Sequence, residues 1–338
     1  MKAIKGSFKH YALLVLSLVL MGLMIYSIRL EVFLNHIGRI HPLMGLSILA
    51  IYGLTWWVRA WRLYQLLPGQ INLEDAFRVQ IAGFALNLVY PAKLGDLFMG
   101  SFLKKKATLG YQRSLAYVLH LRLLDFLVLV GLVIASVVFL PWGQLSRELL
   151  QTVGGLTGFV LLIGVVMLVL KRSPLLKRLK ERLPHKYNPA GLLKQLAAFH
   201  KLNHRYWLSY VYSLTIWLLE VATCYLFATQ IAPGTSFWAV LAALSFGNIM
   251  KIIPLLPGGM GTYDAGFVFM LMLHGAPYDV ALSLSLLDHL VKKLLNLLVG
   301  FPVYLSLQKK SIDGSIDKSI DASFAASERS QAEVSPKS

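Results

Sequence analysis

The feature that most constrains this chain is a series of apolar runs as long as a bilayer core is thick. A transmembrane helix needs about 20 mostly apolar residues. Six stretches meet that length: 11–28, 43–67, 114–140, 153–170, 206–230 and 278–307. Of the 338 residues, 57% are hydrophobic and only 14% charged, against roughly 45–50% and 25% in soluble domains. These figures argue against a cytosolic enzyme, a collagen, a coiled coil or a disulfide scaffold. The lone Cys224 allows no internal disulfide and no cysteine metal cluster. The first run is not read as a cleaved signal. It is too long, and Ile28, Arg29 and Leu30 follow it in place of a small-residue cleavage site.

Two further apolar stretches are interrupted. Residues 74–103 break at Leu88-Val89-Tyr90-Pro91-Ala92-Lys93-Leu94-Gly95-Asp96, and 237–275 break at Pro254-Leu255-Leu256-Pro257-Gly258-Gly259-Met260-Gly261-Thr262-Tyr263-Asp264. Proline lacks a donor and clashes with a helix, while glycine permits unusual turns. Broken backbone at membrane depth survives only when buried in protein or lining a wet cavity. Both stretches are therefore read as re-entrant hairpins. The expected fold is an all-α polytopic integral membrane protein with about six transmembrane helices, two re-entrant hairpins and a possible inverted repeat. Residues 1–310 form the transmembrane domain. Residues 311–338, where Ser-Ile-Asp recurs at 311, 315 and 319, read as a disordered cytoplasmic tail.

The formal net charge is +17. Lysine and arginine concentrate at the N-terminus, in 104–113, in 171–205 and after the last span, at Lys309 and Lys310. The opposite loops hold only Arg29, Arg39 and Arg147. The positive-inside rule then places both termini and both basic loops in the cytoplasm of a cell-membrane protein. The basic loop 171–205 is the expected docking place for a soluble synthase or transferase partner. No aromatic pattern there points to nucleic acid.

A shift of 163 residues superposes the two broken regions. Pro91 meets Pro254, Gly95 meets Gly258, and Leu121-Arg122-Leu123-Leu124-Asp125 meets Leu284-Ser285-Leu286-Leu287-Asp288. Three full spans separate the first hairpin from the second. An odd number reverses direction, so the hairpins are expected to enter from opposite faces and meet near the midplane, as in transporters built from inverted repeats.

Charges inside spans cost at least ~2.5–3.5 kcal/mol at the bilayer centre, so they face a partner or a cavity. Arg59 and Arg62 share a helix face among Trp56, Trp57, Trp61 and Tyr64. They read either as snorkelling interfacial residues or as a phosphate clamp at a cavity mouth. Arg122 and Asp125, at i,i+3, suggest a structural ion pair. So do Asp288 and Lys292 at i,i+4, with Asn296 continuing their face. Lys293 leaves that face and is expected to snorkel. Glu220 has no sequence-local partner.

Gly258, Gly259 and Gly261 can present several backbone N–H groups to an anion, and a helix beginning near Thr262 adds its positive dipole. The same residues also fit a plain helix start capped by Thr262 and Asp264. Asp96, beside Gly95, is equally ambiguous. Lys93 and Lys251 each stand three positions from a hairpin proline and are the best-placed cations for a lipid phosphate. Asp96 and Asp264 read as carboxylates that couple anion movement to a proton. His120 and His289 read as packing histidines. No HExxH, CxxC, P-loop, Gly-x-Ser-x-Gly or Rossmann pattern occurs, and neither metal nor cofactor is expected.

These motifs resemble the lysylphosphatidylglycerol synthase transmembrane-region family, the flippase-like membrane domains. The resemblance runs over roughly residues 10–307. It rests on Asn87 with Pro91-Ala92-Lys93-Leu94-Gly95-Asp96, on Arg122-Leu123-Leu124-Asp125, and on Pro257-Gly258-Gly259-Met260-Gly261-Thr262-Tyr263-Asp264. The family pattern has Arg, Glu, Glu and Glu where this chain has Lys93, Asp96, Leu121 and Asp264. Lysine does not reproduce bidentate phosphate recognition by arginine. Two-domain members of the family add a soluble aminoacyl-transferase domain, for which this chain has no room. The resemblance therefore implies the membrane half alone, moving an anionic lipid such as an aminoacyl phospholipid, a phospholipid or a polyprenyl phosphate. Its expected phosphate contacts are Arg59, Arg62, Lys93, Arg122 and Lys251. The alternative is an integral membrane lipid-phosphate-dependent glycosyl or aminoacyl transferase built on Asp96 and Asp264.

Overall fold

The computed structural model describes residues 30–89, 93–107, 109–139, 147, 150–155, 158, 204–251, 257–259 and 261–334. The expected span 11–28, most of 153–170 and nearly all of the basic loop 171–205 lie outside these residues. The described chain is all-helical: α1 Leu30–Gly38, α2 Pro42–Leu66, α3 Leu73–Val89, α4 Leu94–Lys106, α5 Tyr111–Val138, α6 His204–Ile231, α7 Phe237–Met250, α8 Thr262–Leu273 and α9 Tyr278–Val334. A single 3₁₀ turn, Pro257–Gly259, lies between α7 and α8.

Among the described residues, four helices are long and apolar enough to cross a membrane: Pro42–Leu66, Tyr111–Val138, Tyr206–Ile231 and the first part of α9, Tyr278–Gln308. They carry exposed apolar side chains such as Leu43, Leu46, Leu49, Leu127, Leu298 and Leu305, the surface that lipid would cover. The backbone of α9 stays helical to Val334, well past Gln308, where composition suggested a disordered tail.

α3, α4, α7 and α8 are shorter, with 17, 13, 14 and 12 residues. At 1.5 Å per residue none exceeds about 26 Å, less than the ~30 Å hydrocarbon core. They form two helical hairpins, α3–α4 and α7–α8, broken at the sequences that contain the prolines and glycines. In each hairpin the arms cross at glycines. A Cβ on Gly83 would lie 2.7 Å from Met99 Sδ, and one on Gly95 2.7 Å from Asn87 Oδ1. A Cβ on Gly247 would lie 2.9 Å from the Tyr263 ring, and one on Gly266 2.7 Å from Met250 Cγ.

The apolar core divides into two main clusters, one at each end of the bundle. One joins the end of α2, the start of α3, the end of α4 and the start of α5, through Leu63, Leu66, Ala76, Val79, Leu103 and Tyr117. The other joins Ile48, the later part of α5, the end of α6, both arms of the second hairpin and the start of α9. The first hairpin thus packs into one end and the second into the other. α2 and α6 are antiparallel: His41 N–H faces Gln230, Arg59 meets Glu220, and Arg62 meets Ser213. The hairpin tips converge between the clusters, where a Cβ on Gly258 would lie 2.7 Å from Leu88 Cδ1. Hairpin 1 followed by α5, and hairpin 2 followed by α9, therefore have the inverted arrangement that the 163-residue offset suggested.

Candidate functional site

Where the tips meet, the bundle holds a partly open cavity of about 480 Å³. Six cationic and four carboxylate side chains line it, with Phe84, Phe126, Leu129 and Trp217 supplying apolar wall. So many charges at this depth persist only if each has a partner or access to a ligand.

Five of these ten, with Arg62 behind them, are closed into a network. α2 delivers Arg62, wholly buried, whose guanidinium donates to both oxygens of Asp125 at 2.5 and 3.2 Å and also to Ser213. One turn earlier, Arg59 donates to Glu220 at 3.0 Å and lies 3.8 Å from Asp125. Its guanidinium sits between the Phe84 and Trp217 rings, 5.4 and 5.2 Å from their centroids. Lys292 Nζ completes the network, 2.7 Å from both Glu220 and Asp288. Three cations thus meet three carboxylates. Tyr263 donates to Asp288 at 2.8 Å, and Asn296 ties in Trp56 and Tyr52.

The sequence pairs differ from these. Arg122 does not close on Asp125. It donates to both oxygens of Asp96 at 3.0 and 2.6 Å, while Asn87 donates to the same carboxylate at 3.0 Å. Asp125 is instead bound from α2. The Asp288–Lys292 pair is formed. Arg62 is absent from the cavity wall and is neither a snorkelling residue nor a clamp at the mouth. Arg59 does reach the cavity, already engaged by carboxylates.

Asp264 stands behind the wall. It accepts from the Gly261 N–H at 3.1 Å and from Ser285 Oγ at 2.8 Å, and its carboxylate lies 3.1 Å from His289 Nδ1. Gly261, at φ 76°, is thus a helix N-cap whose N–H is satisfied within the protein. Asp96 and Asp264 are held by separate partner sets, and among the described residues no three His, Cys, Asp or Glu side chains gather as a metal site.

Three cationic side chains in the wall remain. Among the described residues, Lys93, Lys251 and Lys293 form no ion pair within 4.0 Å. Lys251 donates to Asn248 at 2.9 Å and lies 4.0 Å over the Tyr263 ring. Its side chain packs on Gly259, and Lys293 Nζ stands beside Gly258. Gly258 and Gly259 adopt φ of 68° and 73°, conformations open to glycine at little cost. Lys93 adopts φ 55° as the N-cap of α4, the one non-glycine residue at positive φ among those described. That conformation costs roughly 1–2 kcal/mol, strain of the kind held at functional positions.

Lys293 corrects the sequence reading. It lines the cavity because the second hairpin's tip lies against that side of α9, a tertiary approach that helical spacing cannot show. His289, read as a packing residue, is also in the wall. Glu220 was visible as an intramembrane carboxylate, but its partners stand 161 and 72 residues away. Trp217 and Asn248 carried no signal beyond their apolar surroundings.

Comparison with known proteins agrees with this architecture. The family model described as lysylphosphatidylglycerol synthase TM region matches residues 11–300. Glycosyltransferase AglD of Haloferax volcanii is 26% identical over 87% of this chain and 54% of its own length, so the chain spans about half of that relative. The UPF0104 membrane protein MJ1078 of Methanocaldococcus jannaschii is 26% identical over 64% of this chain and 91% of its own. A UPF0104 membrane protein of Methanothermobacter thermautotrophicus is 32% identical over about a quarter of each chain, 24% and 25%. With most of its length matched, hairpins included, this membrane protein belongs to the lysylphosphatidylglycerol synthase transmembrane-region family.

Proposed function

We propose that the protein translocates an anionic lipid across the cell membrane, passing the headgroup through the central cavity while the acyl or prenyl chains stay in lipid. One observation carries this reading. Lys93, Lys251 and Lys293 gather at the meeting point of two hairpins that come from opposite ends of the bundle, and none forms an ion pair within 4.0 Å among the described residues. Uncompensated ammonium groups at this depth cost several kcal/mol each, a cost that an incoming phosphate relieves. Arg122, paired with Asp96 and 27% exposed at its side chain, is placed to share the phosphate. Gly258 and Gly259 let the headgroup approach the backbone.

In this reading the end bearing Lys104, Lys105, Lys106 and Arg113 faces the cytoplasm, with both termini. Asp96 and Asp264 supply the coupling carboxylates. The basic segment 171–205 is the docking place for a soluble synthase or transferase. The experiment is reconstitution into liposomes with headgroup-labelled lipids of several classes. Faster appearance of an anionic headgroup on the far leaflet than in empty liposomes supports the reading.

The name of the Haloferax relative favours a second reading, a lipid-phosphate-dependent glycosyl transferase. That reading requires Asp96 and Asp264 to act together, whereas each is committed to its own donors. Sugar transfer to a lipid phosphate by the purified protein would support it.

A further inference from the structure

His289 lines the cavity and is 4% exposed. Its Nδ1 lies 3.1 Å from Asp264, whose carboxylate already accepts from Gly261 and Ser285. Nδ1 is therefore the donor, and in the neutral ring Nε2 is left as an acceptor. Nε2 is buried without a partner among the described residues. The charged and titratable groups around the ring are Asp264 on α8, Lys251 at the end of α7, and Asp288, Lys292 and Lys293 on α9; Asp288 and Lys292 are already paired to one another. Tyr263 links the two sides, 4.6 Å from the His289 ring and under Lys251 Nζ at 4.0 Å.

We infer that this corner selects a phosphate monoester, with His289 Nε2 taking the ligand's own proton and Lys93, Lys251 and Lys293 taking its charge. The inference rests on the lipid-translocation reading and names the headgroup chemistry. One feature of a monoester meets a feature of the site that a diester phosphate lacks. The three lysines serve the negative charge of either ligand, while the unpartnered Nε2 serves the proton that a monoester alone carries.

A monoester holds a second proton below a pH near 6, whereas a diester phosphate has none to hold. The monoester P–OH can donate to Nε2. When the proton crosses, the P–O–H bond breaks, an Nε2–H bond forms, and the total charge is unchanged. A diester phosphate without a headgroup hydroxyl offers acceptors only, so it faces the neutral Nε2 as acceptor against acceptor and leaves that buried nitrogen unsatisfied, at a cost of about 1–3 kcal/mol. That cost corresponds to roughly 5- to 150-fold in binding.

The test is competition binding to the full-length protein in nanodiscs of neutral lipid. The probes are phosphatidic acid, a monoester, and phosphatidylmethanol, a diester whose headgroup has no hydroxyl, with inorganic phosphate as a soluble competitor. The inference predicts that phosphatidic acid binds at least tenfold more tightly at about pH 5.5, where it keeps its second proton, and loses most of that preference at about pH 8. It predicts that His289→Gln, whose amide can donate as well as accept, brings the two lipids within about threefold by weakening phosphatidic acid alone. Should His289→Gln fail to fold, the pH dependence of the wild type carries the test, and a preference that ignores pH overturns the inference. If millimolar phosphate displaces phosphatidic acid, the site reads the phosphate alone; if it does not, the lipid chain is part of recognition. Either result supports a monoester site once the tenfold preference is seen. Equal or tighter binding of phosphatidylmethanol overturns the monoester inference while leaving anionic-lipid transport standing. Binding of neither lipid overturns both.

Discussion

Asp96 and Asp264 each stand three residues after the N-cap of the second helix of a hairpin, although they are 168 residues apart in sequence. Each accepts from a residue that lies three positions before an aspartate of the following long helix: Arg122 before Asp125, and Ser285 before Asp288. Arg122 and Ser285 are 163 residues apart, the offset that relates the two halves. Loss of the Arg122 donors leaves a carboxylate that is 8% exposed with Asn87 as its remaining hydrogen-bond donor among the described residues. Arg122→Ala should therefore cost about 3 kcal/mol, the range for breaking a buried charge pair. Ser285→Ala should cost about 1 kcal/mol, since Asp264 keeps Gly261 and His289. Thermal unfolding in detergent orders the two variants, and Asp96→Asn added to Arg122→Ala should recover part of the loss.

The Arg62–Asp125 pair gives a second outcome. Asp125→Leu leaves the wholly buried Arg62 guanidinium unpaired and should destabilise by about 3–5 kcal/mol. The double variant Arg62→Met/Asp125→Leu should recover most of that. A double variant no more stable than the single one would mean that Arg59 and Ser213 depend on the pair.

Lys93 separates stability from transport. Lys93→Ala keeps the left-handed backbone, while Lys93→Gly relieves it. Lys93→Gly should be about 1 kcal/mol more stable than Lys93→Ala, although both remove the ammonium and both should slow translocation several-fold. Equal melting temperatures for the two would remove the strain argument.

The helix crossings predict where a methyl group is rejected. Gly95→Ala and Gly247→Ala each push a Cβ to within 3 Å of neighbouring atoms and should cost about 1–3 kcal/mol. Gly131, on α5, has nothing within 4 Å of the added carbon. Gly131→Ala should be neutral or stabilising by up to about 1 kcal/mol. Melting in a single detergent checks all three.

The membrane class, the four described spans, the two hairpin breaks and the repeat were legible because they rest on local chemistry: apolar length, prolines, glycines and a fixed offset. Lys93 and Lys251 were legible as cavity residues for the same reason, since each sits beside a break. The pairing of charges was not. Arg122 reaches back to α4 and Asp125 across to α2, and neither choice follows from i,i+3 spacing when both partners have longer-range options. Lys293 and His289 were misplaced because the wall they join is made by a second element, the tip around Gly258. Helical periodicity reports one helix's faces and not what packs against them.

The central claim is that three unneutralised lysines at the meeting of the hairpins carry an anionic headgroup across the membrane. The direct measurement is the rate of headgroup translocation in proteoliposomes, for phosphatidic acid and for a neutral lipid of the same chains. Wild type is compared with Lys93→Gln, Lys251→Gln, Lys293→Gln and the exposed control Lys105→Gln, at matched folding and protein density. The account predicts wild-type movement of phosphatidic acid at least tenfold above protein-free liposomes, a several-fold loss in each of the three cavity variants, and no loss in Lys105→Gln. Rates that are unchanged in all three cavity variants, or equal for the anionic and neutral lipid, would contradict it.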